Sequence, residues 1–163
     1  MQRNVILKPV SKSNWESVIQ LSIYPKQQHF VLPVSVSLSK AYVKPDDMRI
    51  TPYAILAGDI TVGFFVIKCD PYSSQNYWIE GFLVDKEYQN NGYGTKAVKQ
   101  AIELVHKKYK NCRALKIKVE PGNKPGIRVC EKCGLKNTGI YSVGEEIYMI
   151  NIPEGVASKK IPA

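Results

Sequence analysis

The stretch "YWIEGFLVDKEYQNNGYGTKAVKQAIELV", residues 77–105, constrains this chain more than any other. Its first eight residues are too apolar on both sides for a sheet edge, so they belong to a strand inside a sheet. The strand ends in a Gln-x-x-Gly-x-Gly turn. Ala97, Val98, Ala101, Ile102 and Val105 then recur at helical spacing and form a face that packs back on the sheet. A strand that passes through glycines into a helix aims several backbone N–H groups at one point, beside the positive end of the helix dipole. Glycines let an anion approach that backbone where a Cβ would stand in the way. Without an anion, the same residues make a plain tight turn.

Two common phosphate loops are excluded. A Walker loop needs Gly-Lys-Ser/Thr, whereas Gly94-Thr95-Lys96 reverses the order. The dinucleotide fingerprint needs a third glycine where Ala97 stands, and an acidic residue about 20 positions on at a strand end.

Around this unit the chain reads as alternating elements. "RNVILKP" is a strand, and "SNWE" has the capping-box pattern of a helix start, with Trp15, Val18, Ile19 and Ile23 on one face until Pro25. A short helix is expected over residues 37–43, ended by Pro45. "YAILA" and "ITVGFFVIK" flank Gly58-Asp59 as a hairpin. "ALKIKV" alternates as a strand, "EPGNKPG" is a loop, "IRVCEKC" is a helix stopped by Gly134, and a hairpin across Val143-Gly144 closes the chain. The order β-α-α-β-β-β-α-β-α-β-β implies an α/β (α+β) fold: one mixed, mostly antiparallel sheet with helices on both faces. Residues 1–152 form the domain. Residues 153–163 form a tail from which Val156 and Ile161 can dock on a neighbouring surface.

The 163 residues suffice for one domain with its own core. No signal peptide or apolar span is present, and four cysteines without framework spacing suit a reducing compartment, so the expected location is the cytoplasm and no membrane partner is expected. The net charge of +9 and a pI near 9.3 favour anions. The basic residues are scattered, however, and the "HKKYK" cluster suits a helix C-terminus, so nucleic acid is not an expected partner.

Taken together, "VDKEYQNNGYGTKAVKQAIELV" and the later "EPGNKPGIRVCEKCGLKNTG" resemble the two signatures of the GNAT superfamily of acetyl-CoA-dependent N-acyltransferases, and the element order agrees over most of the chain. Within that superfamily, "HFVLPVSVSLSKAY", "GFFVI" and "YWIEGFLVD" are most similar to bacterial polyamine acetyltransferases that act on spermine or spermidine. The resemblance implies acetyl transfer from acetyl-CoA to a primary amine. It assigns the amides of Gln89, Asn91, Gly92, Gly94 and Thr95 to the pyrophosphate, and Phe82, Leu83 and Val84 to the pantetheine arm. Asn123 reaches that arm from the other side, and Lys96 the 3'-phosphate. No metal is implied, the partner is a small-molecule amine, and a homodimer is compatible with the chain. A catalytically silent acyl-CoA-binding module is the alternative. Aminoglycosides, other small amines and peptide N-termini stay open as acceptors.

Glu80 stands inside the apolar strand, where an unpaired carboxylate is costly. Either it pairs with a lysine or faces an open edge, or it is a general base. An alkyl amine, with a pKa near 10, arrives protonated and must lose a proton before it attacks a thioester. Strict alternation places Trp78, Glu80, Phe82 and Val84 on one face. Asp46, Asp47 and Glu80 are the candidates for a local acidic pocket. Cys130 falls where the family often has a tyrosine that protonates the departing thiolate. It is a candidate for that role, alongside helix packing, with water or Tyr141 as substitutes. Cys130-x-x-Cys133 lacks the second ligand pair of a zinc site, and His29 and His106 read as surface or loop residues.

Overall fold

A computed structural model describes residues 4–155. The elements run β1 (Val5–Pro9), α1 (Trp15–Ile19), α2 (Val34–Val43), β2 (Arg49–Ala57), β3 (Ile60–Cys69), β4 (Tyr77–Val84), α3 (Tyr93–Lys108), β5 (Ala114–Val119), α4 (Lys124–Lys132), β6 (Lys136–Ser142) and β7 (Glu145–Asn151). This is the expected order. Among the described residues all strands join one sheet, β1-β2-β3-β4-β5-β7-β6, in which only the β4–β5 pairing is parallel. Both predicted hairpins form. Val143 (φ 51°) and Gly144 (φ 80°) take the left-handed turn that matches strand twist.

The sheet has a core on each face. One core packs Ala97, Val98, Ala101 and Val105 of α3 with Cys130 of α4 against Phe65, Ile67, Tyr77, Ile79 and Leu115. Fully burying each valine there stabilises the fold by about 1.5–3 kcal/mol. The other core gathers Val18 of α1 and Val34 of α2 over Ala54, Phe64, Val66 and Leu83. Among the described residues no helix is long and apolar enough to cross a membrane.

Several local expectations are corrected. No capping box forms at "SNWE": Asn14 is the N-cap, its Oδ1 accepts from the Ser11 amide at 2.8 Å, and its Nδ2 donates to the Pro9 carbonyl at 3.0 Å. The side chain that ties the helix start to β1 has displaced Ser13 from that role. Only Val18 of the expected apolar face is fully buried, because α1 ends at Ile19 and leaves Trp15 and Ile19 partly in solvent. α2 begins at Val34, directly after extended Pro33, and ends where Lys44 turns left-handed (φ 52°). α4 begins inside the expected loop, because Asn123 Oδ1 accepts from the Gly126 amide at 3.1 Å. Ile152 is buried, whereas Val156 and Ile161 lie outside the described residues.

Candidate active site

The centre of the sheet departs from regular strand geometry at one point. Phe64 pairs with Leu83 and Val66 with Glu80, so Gly81 and Phe82 together oppose Phe65, which is a β-bulge. Gly81 has φ +61°, a conformation that side chains disfavour. The extra residue breaks the expected alternation. Glu80 lies across from Val66 of the α1/α2 core, whereas the Phe82 ring swings to the α3 side, 6.3 Å from that of Phe65. Glu80 and Phe82 therefore do not share a face.

Next to the bulge, β4 and β5 part company. Their pairing covers Tyr77 to Ile79 against Leu115 to Ile117 and then stops, leaving the β5-facing edge of residues 80–84 without a strand partner. A cavity of about 300 Å³ fills the gap and is lined from both faces of the sheet, by Val66 and Lys68 on one side and Val98 and Cys130 on the other. A groove of about 500 Å³ runs from it along residues 82–84 to Gln89, Gly92, Gly94 and Thr95, with α4 as its far wall. Phe82 and Asn123 line both spaces, which makes them one continuous site.

The groove is formed largely by local backbone. Gly92 caps α3 with φ 76°, and the first intrahelical bond is that from the Lys96 amide to the Gly92 carbonyl at 3.1 Å. The amides of Tyr93, Gly94 and Thr95 thus precede the helical ladder, at the positive end of a 16-residue helix. Gln89 fixes the turn. Its side chain donates to the Val84 carbonyl at 2.9 Å and exchanges amide hydrogen bonds with Gln27 at 2.9 and 3.0 Å. Asp85, buried at the strand end, accepts from the Ser22 and Glu87 amides at 2.8 and 2.9 Å. Lys96 is not among the groove residues. The cations that line it are Arg128 and Lys132 of α4, one helical turn apart.

The cavity is formed by side chains. Glu80 points into it from β4, with 42% of its side chain exposed and its Oε1 4.0 Å from Lys68 Nζ. Lys68 also pairs closely with Asp46, and that hydrogen bond holds the Asp46 carboxyl down. Asp47, the other acidic candidate, is exposed and does not line the cavity. Glu120 and Glu145 line it instead. Burial pushes the Glu145 carboxyl up, Lys118 opposes this, and the charges of Glu120 and Glu80 add to it. Glu120 Oε2 is shielded and has no hydrogen-bond partner among the described residues, with His29 Nε2 at 3.6 Å, although the side chain as a whole is 40% exposed.

Cys130 is 2% exposed on the cavity wall, and burial, with Cys133 and Glu131 nearby, pushes its thiol up to about 12. An ordinary thiol lies near 8.5, so giving this proton to an ordinary thiolate is uphill, on the order of 5 kcal/mol. Burial therefore disfavours Cys130 as the proton donor and favours its packing role. Tyr141 is exposed on β6, donates to Glu146 at 3.1 Å and reaches neither space. Tyr88 and Tyr93 do line the groove. All four cysteines are free and buried, and among the described residues no three His, Cys, Asp or Glu side chains cluster as a metal site.

Sequence reasoning missed Lys68, Glu120, Glu145, Arg128 and Lys132. Lys68 had a legible signal: it is a lysine in an apolar strand next to the strand that carries Glu80. Arg128 and Lys132 had another, the i, i+4 spacing on a helix that follows Asn123. Glu120 and Glu145 had none, because their convergence depends on where β5 separates from β4.

Comparison with known proteins bears on this arrangement. The chain is 24% identical over 151 residues to a probable spermine N(1)-acetyltransferase from Bacillus subtilis subsp. natto (strain BEST195), covering 90% of this chain and 97% of that one. Among solved structures, it superposes on spermidine N-acetyltransferase from Vibrio cholerae in complex with CoA and spermine, with a TM-score of 0.70 at 11% identity, covering 91% and 96% of the two chains. It also superposes on AAC(6')-Ib in complex with paromomycin and acetyl-CoA, with a TM-score of 0.71 at 17% identity, covering 90% and 92%. At these identities the superpositions establish the fold. The profile of the acetyltransferase (GNAT) family matches residues 19–135, well over half of the chain. The protein belongs to that family and is an acetyl-CoA-dependent N-acetyltransferase.

Proposed function

We propose that the protein transfers the acetyl group of acetyl-CoA to a primary amine of a linear polyamine of the spermine or spermidine type, with Glu80 as the proton acceptor. The observation that carries this reading is the meeting of an anion-seeking backbone groove with an acid-lined cavity at the β4–β5 gap.

The donor fits the groove. Amides of Gln89, Asn91, Gly92, Gly94 and Thr95 hold the pyrophosphate beside the α3 N-terminus. The free edge of residues 82–84 (Phe82, Leu83 and Val84) offers peptide groups to the amides of the pantetheine arm, and Asn123 closes the other side. Arg128 and Lys132 serve the phosphates alongside or in place of Lys96. This places the thioester at the bulge, where the groove enters the cavity.

The acceptor comes through the cavity. A polyamine carries several positive charges, and Asp46, Glu80, Glu120 and Glu145, set against Lys40, Lys68 and Lys118, give the cavity carboxylates to meet them although the overall charge is +9. Glu80 takes a proton from the ammonium, directly or through a water. The freed amine nitrogen attacks the thioester carbonyl and the C–S bond breaks; the nitrogen's second proton is lost to solvent, and the thiolate is protonated from solvent because Cys130, buried, is a weak acid. The similarity to a spermine N(1)-acetyltransferase over nearly the whole of both chains supports the same acceptor class.

The test is coenzyme A release with spermine, spermidine, an aminoglycoside, a monoamine and a peptide N-terminus, repeated with Glu80→Gln. Polyamines should give the highest kcat/KM. E80Q should keep acetyl-CoA affinity but lose about a hundredfold in rate near pH 7, with much of it regained at pH 9–10, where free amine is available. A folded E80Q that matches the parent across this range shows that Glu80 is structural.

A further inference from the structure

The acceptor cavity already contains a primary alkyl ammonium, that of Lys68. Its side chain rises from β3 on the same face as Glu80, is only 19% exposed, and places Nζ in close contact with Asp46 and 4.0 Å from Glu80 Oε1. Chemically this is the group that the substrate brings: a flexible methylene stem ending in an ammonium. The other charges facing Glu80 come from Lys40 on α2, Lys118 on β5, Glu120 just beyond it and Glu145 on β7, with His29 reaching Glu120 from the loop before α2. Lys40 is exposed at the rim. Lys118 holds its Nζ 5.3 Å from the Trp78 ring centre, a cation–π contact. Among the described residues, Lys68 is the cavity cation with its ammonium on carboxylates.

We propose that Lys68 is a tethered competitor for the acceptor seat. With no amine bound it neutralises Asp46 and Glu80 together. An incoming ammonium displaces it from Glu80 onto Asp46, and the resistance to that displacement selects acceptors that carry more than one charge. A monoamine has one ammonium with which to replace Lys68. A polyamine has further ammonium groups for Glu120 and Glu145, so it displaces Lys68 more readily. Lys68 acts through Glu80 and is a positioning and specificity residue. The inference rests on the reading of this cavity as the acceptor site and of Glu80 as the proton acceptor.

The two partners of Lys68 give opposite predictions, which a purely structural role does not. Lys68→Met removes the competitor. KM should fall about tenfold for n-butylamine and about threefold for spermidine, with KM for acetyl-CoA unchanged. kcat should change much less than acceptor KM, because the ion pair holds the seat and does not touch the reacting bond. Asp46→Asn leaves Lys68 to Glu80 alone, so acceptor KM should rise several-fold. Lys68→Arg keeps the charge and should stay closer to the parent than K68M in acceptor KM. Lys68→Gln provides the same test if K68M does not fold.

An acceptor KM unchanged in K68M or K68Q, or shifted in the same direction by D46N, overturns the proposal. E80Q in the same assay separates the two failures. A parent-like E80Q removes the proton-acceptor reading, whereas an impaired E80Q beside an unresponsive K68M removes only the role of Lys68.

Discussion

The proposed donor groove and the proposed acceptor cavity share Phe82 and Asn123 but are built in opposite ways. The floor of the groove is contiguous backbone, the end of β4, a glycine turn and the first turn of α3, with walls borrowed from α4 and from Ile23, Gln27, Phe30 and Val31. The cavity depends on side chains that arrive singly, Lys68 from β3, Glu80 from β4, Glu145 from β7, and Asp46 and Glu120 from loops. Backbone donors can be placed by a short segment, and on the proposed reading they meet what any acyl-CoA carries, a pyrophosphate and a chain of amides. Side-chain charges from separate elements can be exchanged without disturbing the sheet. In this architecture the donor is fixed by local geometry, and the acceptor is left to long-range assembly.

The largest way to break this comparison is at the turn. Gly92→Val puts a branched side chain at φ 76° and a Cβ beside the phosphate amides, so KM for acetyl-CoA should rise by about thirtyfold or more while acceptor KM changes little. Steady-state titration of each substrate against the other would show it. Equal loss in both, with a native circular dichroism spectrum, would mean that the two spaces are not separately encoded.

On the cavity side, Glu120→Gln and Glu145→Gln should each raise KM for spermidine about three- to tenfold and leave acetyl-CoA KM alone. A stability measurement sharpens this result. A carboxyl whose pKa is raised in the fold is stabilising only while protonated, and that contribution is lost as pH rises through its folded pKa. Glu145, pushed up by burial, is therefore under strain near neutral pH, and E145Q should leave Tm at pH 7 unchanged or slightly higher. A lowered Tm would indicate a structural role that its weak pairing does not suggest.

The smallest catalytic effect belongs to Cys130. Because its thiol is held up to about 12 on a closed wall, Cys130→Ala should change kcat less than threefold. It should still lower the unfolding free energy by about 1 kcal/mol through lost packing, measurable by urea denaturation. A folded alanine variant without turnover would move the proton donor back to this residue.

The two regions were unequally legible in the sequence. The turn, α3 and its buried stripe follow from residues three or four apart, and the positions expected at the groove line it, apart from Asn91, whose neighbour Asn90 lines it, and Lys96, which the helix carries outside the lining while Arg128 and Lys132 enter it. Glu80 stood out as a carboxylate in an apolar run, but its surroundings did not. The bulge at Gly81 shifts every later residue of β4 to the opposite face, so a period-two reading of that strand fails beyond Glu80. Asp46 was identified, while Asp47, one residue away, points elsewhere.

By itself the sequence determined the element order, the mixed sheet, the glycine cradle and the presence of an acid at the strand beside it, because each depends on hydrophobic periodicity or on the conformational freedom of a glycine over a few residues. Only the tertiary structure decided that β4 and β5 part after Ile79, that Lys68 lies between Asp46 and Glu80, and that Glu120 and Glu145 face them. Those facts depend on strand divergence and on the meeting of residues tens of positions apart. Electrostatic energy falls with distance through space, and sequence spacing does not report that distance.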